Sequence, residues 1–259
     1  MKINKRNLII GLAGLTATLI LHYLFFAGTV YFYESDLKKF GGKQDTIVVK
    51  PLLTALAYSD GGFYDYYKGN CDQKCLTIAV NNKTEYKPHS SSLNSVITLE
   101  ALKYNFITDY DIYKDPTILE KYDRVILLHS EYVTGEMFMA ITSHPNVIYL
   151  YPNALYAQVS IEDDKMTLIR GHNYENGQYP VPIDNGFGWK YNNKDEEYDT
   201  KCKTWQFKRI ENGYQLNCWP TILLKDKQFL YELSRVSTKS LHCFSGEWIT
   251  WPDSCKSLK

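Results

Sequence analysis

Residues 129–132 read His129, Ser130, Glu131, Tyr132 and follow directly on the apolar run RVILL. An imidazole and a carboxylate two residues apart can move protons for a bound substrate, so His129 and Glu131 form the candidate catalytic pair. A tyrosine with a glutamate or histidine can also hold a hard metal ion. The next apolar run, VIYLY, ends in PNALY and adds Asn153 and Tyr156 as ligand-binding candidates. The stretch SDGGFYDYY sets Asp60, Tyr64, Asp65, Tyr66 and Tyr67 on a glycine turn, and Tyr64 is its ligand-binding candidate. Its Gly-Gly begins no phosphate-loop pattern. The plainer use of these side chains is structural. His129 then bonds a backbone carbonyl, Ser130 and Glu131 serve the N-terminus of the following helix, and Tyr132 packs on the domain. His144, His172 and His242 stand at no ligand spacing and read as structural.

The elements that must position this cluster alternate between strand and helix. TIVVKPLLTALAY supplies one or two apolar strands, and CLTIAV another. SSLNSVITLEALKYN has a serine start signal and places Leu93, Val96, Ile97, Ala101 and Tyr104 on one helical face. FITDYDI is strand-like, and DPTILEKY has Pro at a first-turn position. RVILL and VIYLY are uninterrupted apolar runs, the pattern of strands covered on both faces, and TGEMFMAITSH between them reads as a helix. The spacing predicts an α/β fold: a doubly wound, amidotransferase- or flavodoxin-like parallel sheet over residues 46–160. In such sheets ligands bind beyond the carboxyl ends of the strands, where HSEY and PNALY fall. Residues 161–259 read as a disulfide-stapled mixed β extension packed on the core, with a hairpin signal at Asn212-Gly213 and a helix in KQFLYELSRV.

Outside that core the chain carries further signals. MKINKR precedes a charge-free apolar run over residues 8–33, long enough as a helix to cross a hydrocarbon core of about 30 Å. It predicts an uncleaved transmembrane signal anchor, with a cleaved signal peptide as the competing reading, residues 1–7 cytoplasmic, residues 34–45 a stalk, and the domain outside the cell membrane. Cys71, Cys75, Cys202, Cys218, Cys243 and Cys255 all lie beyond that run and predict disulfides, Cys71 with Cys75 and the other four open in pairing. Asn82 heads an NKT glycosylation sequon. The formal net charge of zero gives nucleic acid no electrostatic footing.

The stretch YDRVILLHSEYVTGEMF, followed by VIYLYPNALYAQV, resembles the C-terminal domain of the N,N-dimethylformamidase large subunit, of the glutamine-amidotransferase-like α/β class. Tyr122, Asp123, His129, Glu131, Tyr132, Asn153, Tyr156 and Val159 carry the likeness, which spans about residues 90–170. The resemblance implies amide hydrolysis on a mononuclear iron held by tyrosines and a glutamate. It makes Tyr132 a metal ligand, with Tyr64, Tyr66 or Tyr67 as sources of a second. The family's acidic ligand belongs near the strand after YAQV, which here reads KMTLIRG without a carboxylate. The nucleophilic cysteine of amidotransferases is absent as well.

Three functional expectations follow. The favoured one is a non-catalytic, membrane-anchored domain that binds a small ligand or a cell-surface protein and needs no cofactor. The alternatives are an iron-dependent amide hydrolase and an accessory subunit of a membrane complex.

Overall fold

The computed structural model describes residues 16, 18, 32–81 and 84–236. TIVVK forms β1 (Thr46–Lys50), and Pro51, with no N–H to give a neighbouring strand, closes it. The Leu- and Ala-rich stretch that follows is helical, α2 (Leu52–Ala57), not a second strand. Helix α1 (Glu34–Phe40) precedes β1, and α3 (Phe63–Tyr67) follows α2. Then come β2 (Thr77–Ala79), α4 (Leu93–Ala101), β3 (Asn105–Thr108), α5 (Asp109–Lys114) and a 3₁₀ turn over Pro116–Lys121. RVILL gives β4 (Arg124–Leu127), followed by β5 (Tyr132–Val133), α6 (Gly135–Ser143) and β6 (Val147–Tyr149). The remainder contributes β7 (Ala157–Glu162), β8 (Lys165–Gly171), β9 (Tyr174–Glu175), β10 (Phe207–Ile210), β11 (Gly213–Leu216) and α7 (Lys227–Arg235).

The main sheet runs β10-β11-β6-β4-β1-β3. Its strands from β11 to β3 are parallel, and β10 is an antiparallel edge. A second sheet runs β2-β8-β7-β5, with β9 beside β8, and only its β5–β7 pair is parallel.

Successive strand residues point to opposite faces and so feed two cores. Ile47, Val49, Val125, Leu127 and Val147 meet α2, α5, α6 and the second sheet. Val48, Ile126, Ile148 and Leu150 meet Phe40 of α1, Leu99 of α4 and Phe229 of α7. Each fully buried aliphatic side chain is worth about 1.5–3 kcal/mol, so packing on both faces holds the strands in place.

This corrects the expected fold class. A doubly wound parallel sheet with a β extension packed on it is replaced by two mixed sheets, because β11 hydrogen-bonds in parallel to β6 and carries the hairpin into the main sheet. The expected transmembrane helix is not supported either: among the described residues no helix is long and apolar enough to cross a membrane. The run over residues 8–33 lies almost wholly outside the described residues, as do Asn82, Cys243, Cys255 and His242. Among the described residues two disulfides are present, Cys71–Cys75 and Cys202–Cys218.

Candidate functional site

Strand order reverses at β1, with β3 on one side and β4 on the other, so the chains leaving β1 and β4 part and open a crevice. The residues leaving β4 are Leu128, His129, Ser130 and Glu131. Thr54, on the helix after β1, accepts the Glu131 N–H through Oγ1 at 2.8 Å. From the other side the Glu131 carbonyl accepts the N–H groups of Tyr156 and Ala157 at 3.0 and 2.9 Å. Glu131 is thereby fixed at a strand end, with its side chain fully buried.

One carboxylate oxygen is crowded with donors. Glu131 Oε1 accepts from His172 Nε2 at 2.5 Å, Asn153 Nδ2 at 3.1 Å and the Tyr64 hydroxyl at 3.3 Å. Tyr58 shares a short hydroxyl contact with Tyr64. Burial alone would push the Glu131 carboxyl up, but His172 and His129 outweigh it and hold the group below the usual glutamate range. Glu131 is therefore ionised.

The other oxygen has no hydrogen bond. Glu131 Oε2 lies 3.8 Å from His129 Nε2, and both atoms are buried without a hydrogen-bond partner. His129 Nδ1 lies 2.9 Å from the Ser90 carbonyl, which only accepts, so Nδ1 carries the ring proton and Nε2 a lone pair. Burial holds the His129 pKa below its ordinary value and keeps the ring neutral. The Tyr132 hydroxyl is also buried and unbonded.

His172 sits in a cage of tyrosines, its ring centroid 4.6 Å from Tyr156, 4.9 Å from Tyr67, 5.8 Å from Tyr64 and 5.9 Å from Tyr132. Burial, aided by the Glu131 charge, pushes Tyr58, Tyr64, Tyr67 and Tyr132 up, so all four are neutral phenols near pH 7. Above them opens a cavity of about 430 Å³ whose wall includes Tyr58, Tyr64, Asn153, Tyr156, His172 and Glu197.

The structure thus brings His129, Glu131, Tyr132, Asn153, Tyr156 and Tyr64 into one cluster. It leaves others out. Asp65 accepts the Gly61 N–H at 2.7 Å within its own turn, Tyr66 packs on Tyr174 and Tyr179, and Asp60 is exposed. His144 Nε2 lies 3.0 Å from the Tyr122 carbonyl and braces a turn.

His172, read from the sequence as structural, is a direct partner of Glu131. It arrives because β8 runs antiparallel to β7 and returns to where β7 begins, next to Glu131. Gly171, at φ +126°, lets the strands touch there: a Cβ would meet Ala157 Cβ at 2.8 Å. The sequence signal was a glycine closing a strand, KMTLIRG, just before a histidine. Tyr58 and Glu197 were missed too, and no local pattern marks either.

Fold and site together define an α/β protein with a buried carboxylate, two histidines and a tyrosine cage at the point where its strand order reverses. The family profile described as N,N-dimethylformamidase beta subunit-like, C-terminal, matches residues 30–211, and the chain belongs to that family. No curated protein matches the chain.

Proposed function

We propose that this chain is a metal-dependent hydrolase of amide-type bonds, centred on Glu131. The observation that carries the reading is the facing pair His129 Nε2 and Glu131 Oε2. Two lone-pair atoms turned toward each other in a buried site repel unless a cation or proton lies with them, and buried groups of this kind call for such a partner.

The donor set fits the iron that the family resemblance implies. Glu131 and Tyr132 would hold the ion, with His129 Nε2 beside them: oxygen and nitrogen donors suited to a hard or borderline metal. Among the described residues no three His, Cys, Asp or Glu side chains form a metal group by themselves, so tyrosine oxygens are needed to complete it. Bound there, the ion would supply Lewis acidity and an activated water.

The chain's own residues do the rest. Asn153 Nδ2 and the Tyr64 hydroxyl hold Glu131 Oε1 and so fix the direction of Oε2. Ser90 fixes the tautomer of His129. His172, the histidine of the pair that reaches the cavity, is placed to carry a proton between Glu131 Oε1 and a leaving amine. The buried tyrosines keep bulk water from the carboxylate and strengthen each of these contacts.

A non-catalytic ligand-binding domain is the second reading, supported by the absence of any carboxylate on β8. The two disulfides support work in an oxidising compartment under either reading.

Elemental analysis of the full chain, purified from an oxidising host without chelator, tests the choice. Near-stoichiometric metal that disappears in Glu131→Gln and Tyr132→Phe, with turnover of N-alkyl amides lost in parallel, is the expected result. A wild-type chain that takes up no metal overturns the hydrolase and leaves the binding role.

A further inference from the structure

The cavity over Glu131 has walls of uneven chemistry. Its side-chain donors are already engaged by its own acceptors: His172 Nε2, Asn153 Nδ2 and the Tyr64 hydroxyl point to Glu131. The Tyr156 hydroxyl and Lys194 Nζ both point to Asp184. Apart from the hydroxyl of exposed Tyr198, what remains for a ligand is mainly acceptors. With Nδ2 bound to Glu131, Asn153 turns Oδ1 the other way, and that oxygen has no partner although Asn153 is 2% exposed and lines the cavity. Glu197 and Asp195 stand on the same wall, and no ion pair engages either among the described residues. Glu197 is partly desolvated, and burial together with the Glu131 charge pushes its carboxyl up. The rings of Tyr58 and Tyr198 complete the wall.

We propose that this cavity receives a primary ammonium group, carried on the amide substrate itself. The inference rests on the hydrolase reading only for the word substrate; the recognition chemistry stands on the cavity wall. An ammonium brings three donors and no acceptor, the complement of Asn153 Oδ1, Glu197 and Asp195. The tyrosine faces add attraction for a cation. An anion meets the fields of Glu131, Glu197 and Asp195 and is repelled. A neutral alkyl group strands the Asn153 oxygen, which costs the desolvation of a buried acceptor.

Three amides of matched length test this by calorimetry on the full chain at neutral pH: N-acetyl-1,4-diaminobutane, N-pentylacetamide and N-acetyl-4-aminobutyrate. The cationic compound is expected to bind about tenfold more tightly than the neutral one, with the anion weakest. The preference is expected to shrink in Glu197→Gln/Asp195→Asn and in raised salt. Equal binding of the cationic and neutral compounds, tighter binding of the anion, no binding of the cation, or a preference unchanged in the double variant each overturns the proposal. Metal content measured on the same preparation separates the two ideas. A metal-free chain that prefers the cation sinks the hydrolase alone; a metal-loaded chain indifferent to charge sinks the ammonium site alone.

Discussion

His129 Nε2 and Glu131 Oε2 lie 3.8 Å apart with neither side chain exposed, and each carries a lone pair with no hydrogen-bond partner. Glu131→Gln replaces the repelling oxygen with an amide nitrogen that can donate to His129 Nε2, while the remaining amide oxygen still accepts from Asn153 and Tyr64. In metal-stripped protein this variant is expected to be more stable than wild type by about 1 kcal/mol, read from denaturant midpoints. The same variant is expected to lose metal and at least about a hundredfold in amide turnover. Lower stability in the stripped variant would mean that the facing atoms are already satisfied without a cation.

The same cluster sets a pH profile. Burial depresses the His129 pKa, so the unfolded chain protonates first, and stability present above about pH 6.5 is lost as pH falls below it. Glu131, also depressed, adds to that loss as pH falls from the ordinary glutamate value, about 4.3, through its own lowered one. Asp109 runs the other way. Fully buried beneath the Leu53 N–H, its carboxyl is pushed up to about 8 by desolvation. Its contribution is present below the ordinary aspartate value, about 3.9, and is lost as pH rises toward 8. Between pH 6.5 and 8 Asp109 acts without His129, and stability of metal-free protein should fall by about 1.4 kcal/mol per pH unit. Asp109→Asn, which keeps an acceptor for Leu53, is expected to flatten that limb in denaturant midpoints taken across the range. An unchanged slope would show that Asp109 is ionised in the fold.

Gly171 controls where His172 arrives. At φ +126°, with Ala157 Cβ 2.8 Å and Ala157 Cα 2.9 Å from any added Cβ, Gly171→Ala forces β8 away from β7. The backbone strain alone is about 1–3 kcal/mol. The variant is expected to lose that much stability and to lose turnover beyond what the stability change explains, because His172 moves off Glu131. Loss of stability at full turnover would mean that His172 keeps its place without the glycine.

How much of this was legible follows from the range of each signal. RVILL and VIYLY read correctly as buried strands because every residue in them is apolar, and strand ends pointed to His129, Glu131 and Asn153. His172 was hidden because its approach depends on antiparallel pairing across the second sheet and on a left-handed backbone at His172 itself, φ +53°. Asn212-Gly213 announced that β10 pairs with β11, but no local pattern says that β11 also pairs with β6. The serine before α4 reads as a helix cap, yet Ser92 Oγ accepts the His129 N–H at 3.1 Å and serves the site instead. Ile97, on the expected inward face of that helix, is 39% exposed, since contact with the sheet is made by Val96 and Leu99.

The Cys202–Cys218 disulfide closes a loop that contains the whole β10–β11 hairpin, the part of the main sheet that joins it latest in the chain. The next residue, Trp219, packs its ring 4.8 Å from that of His129. A sequence separation of 16 makes the crosslink worth about 3 kcal/mol in chain entropy, against about 2 kcal/mol for Cys71–Cys75 with its separation of 4. Cys202→Ser/Cys218→Ser is therefore expected to cost more than Cys71→Ser/Cys75→Ser in denaturant melts. It is also expected to raise amide hydrogen exchange at β11 and at His129, whose side wall Trp219 forms. The reverse order of stabilities, or unchanged exchange at His129, would show that β6 alone holds the hairpin and that the disulfide does not support the site.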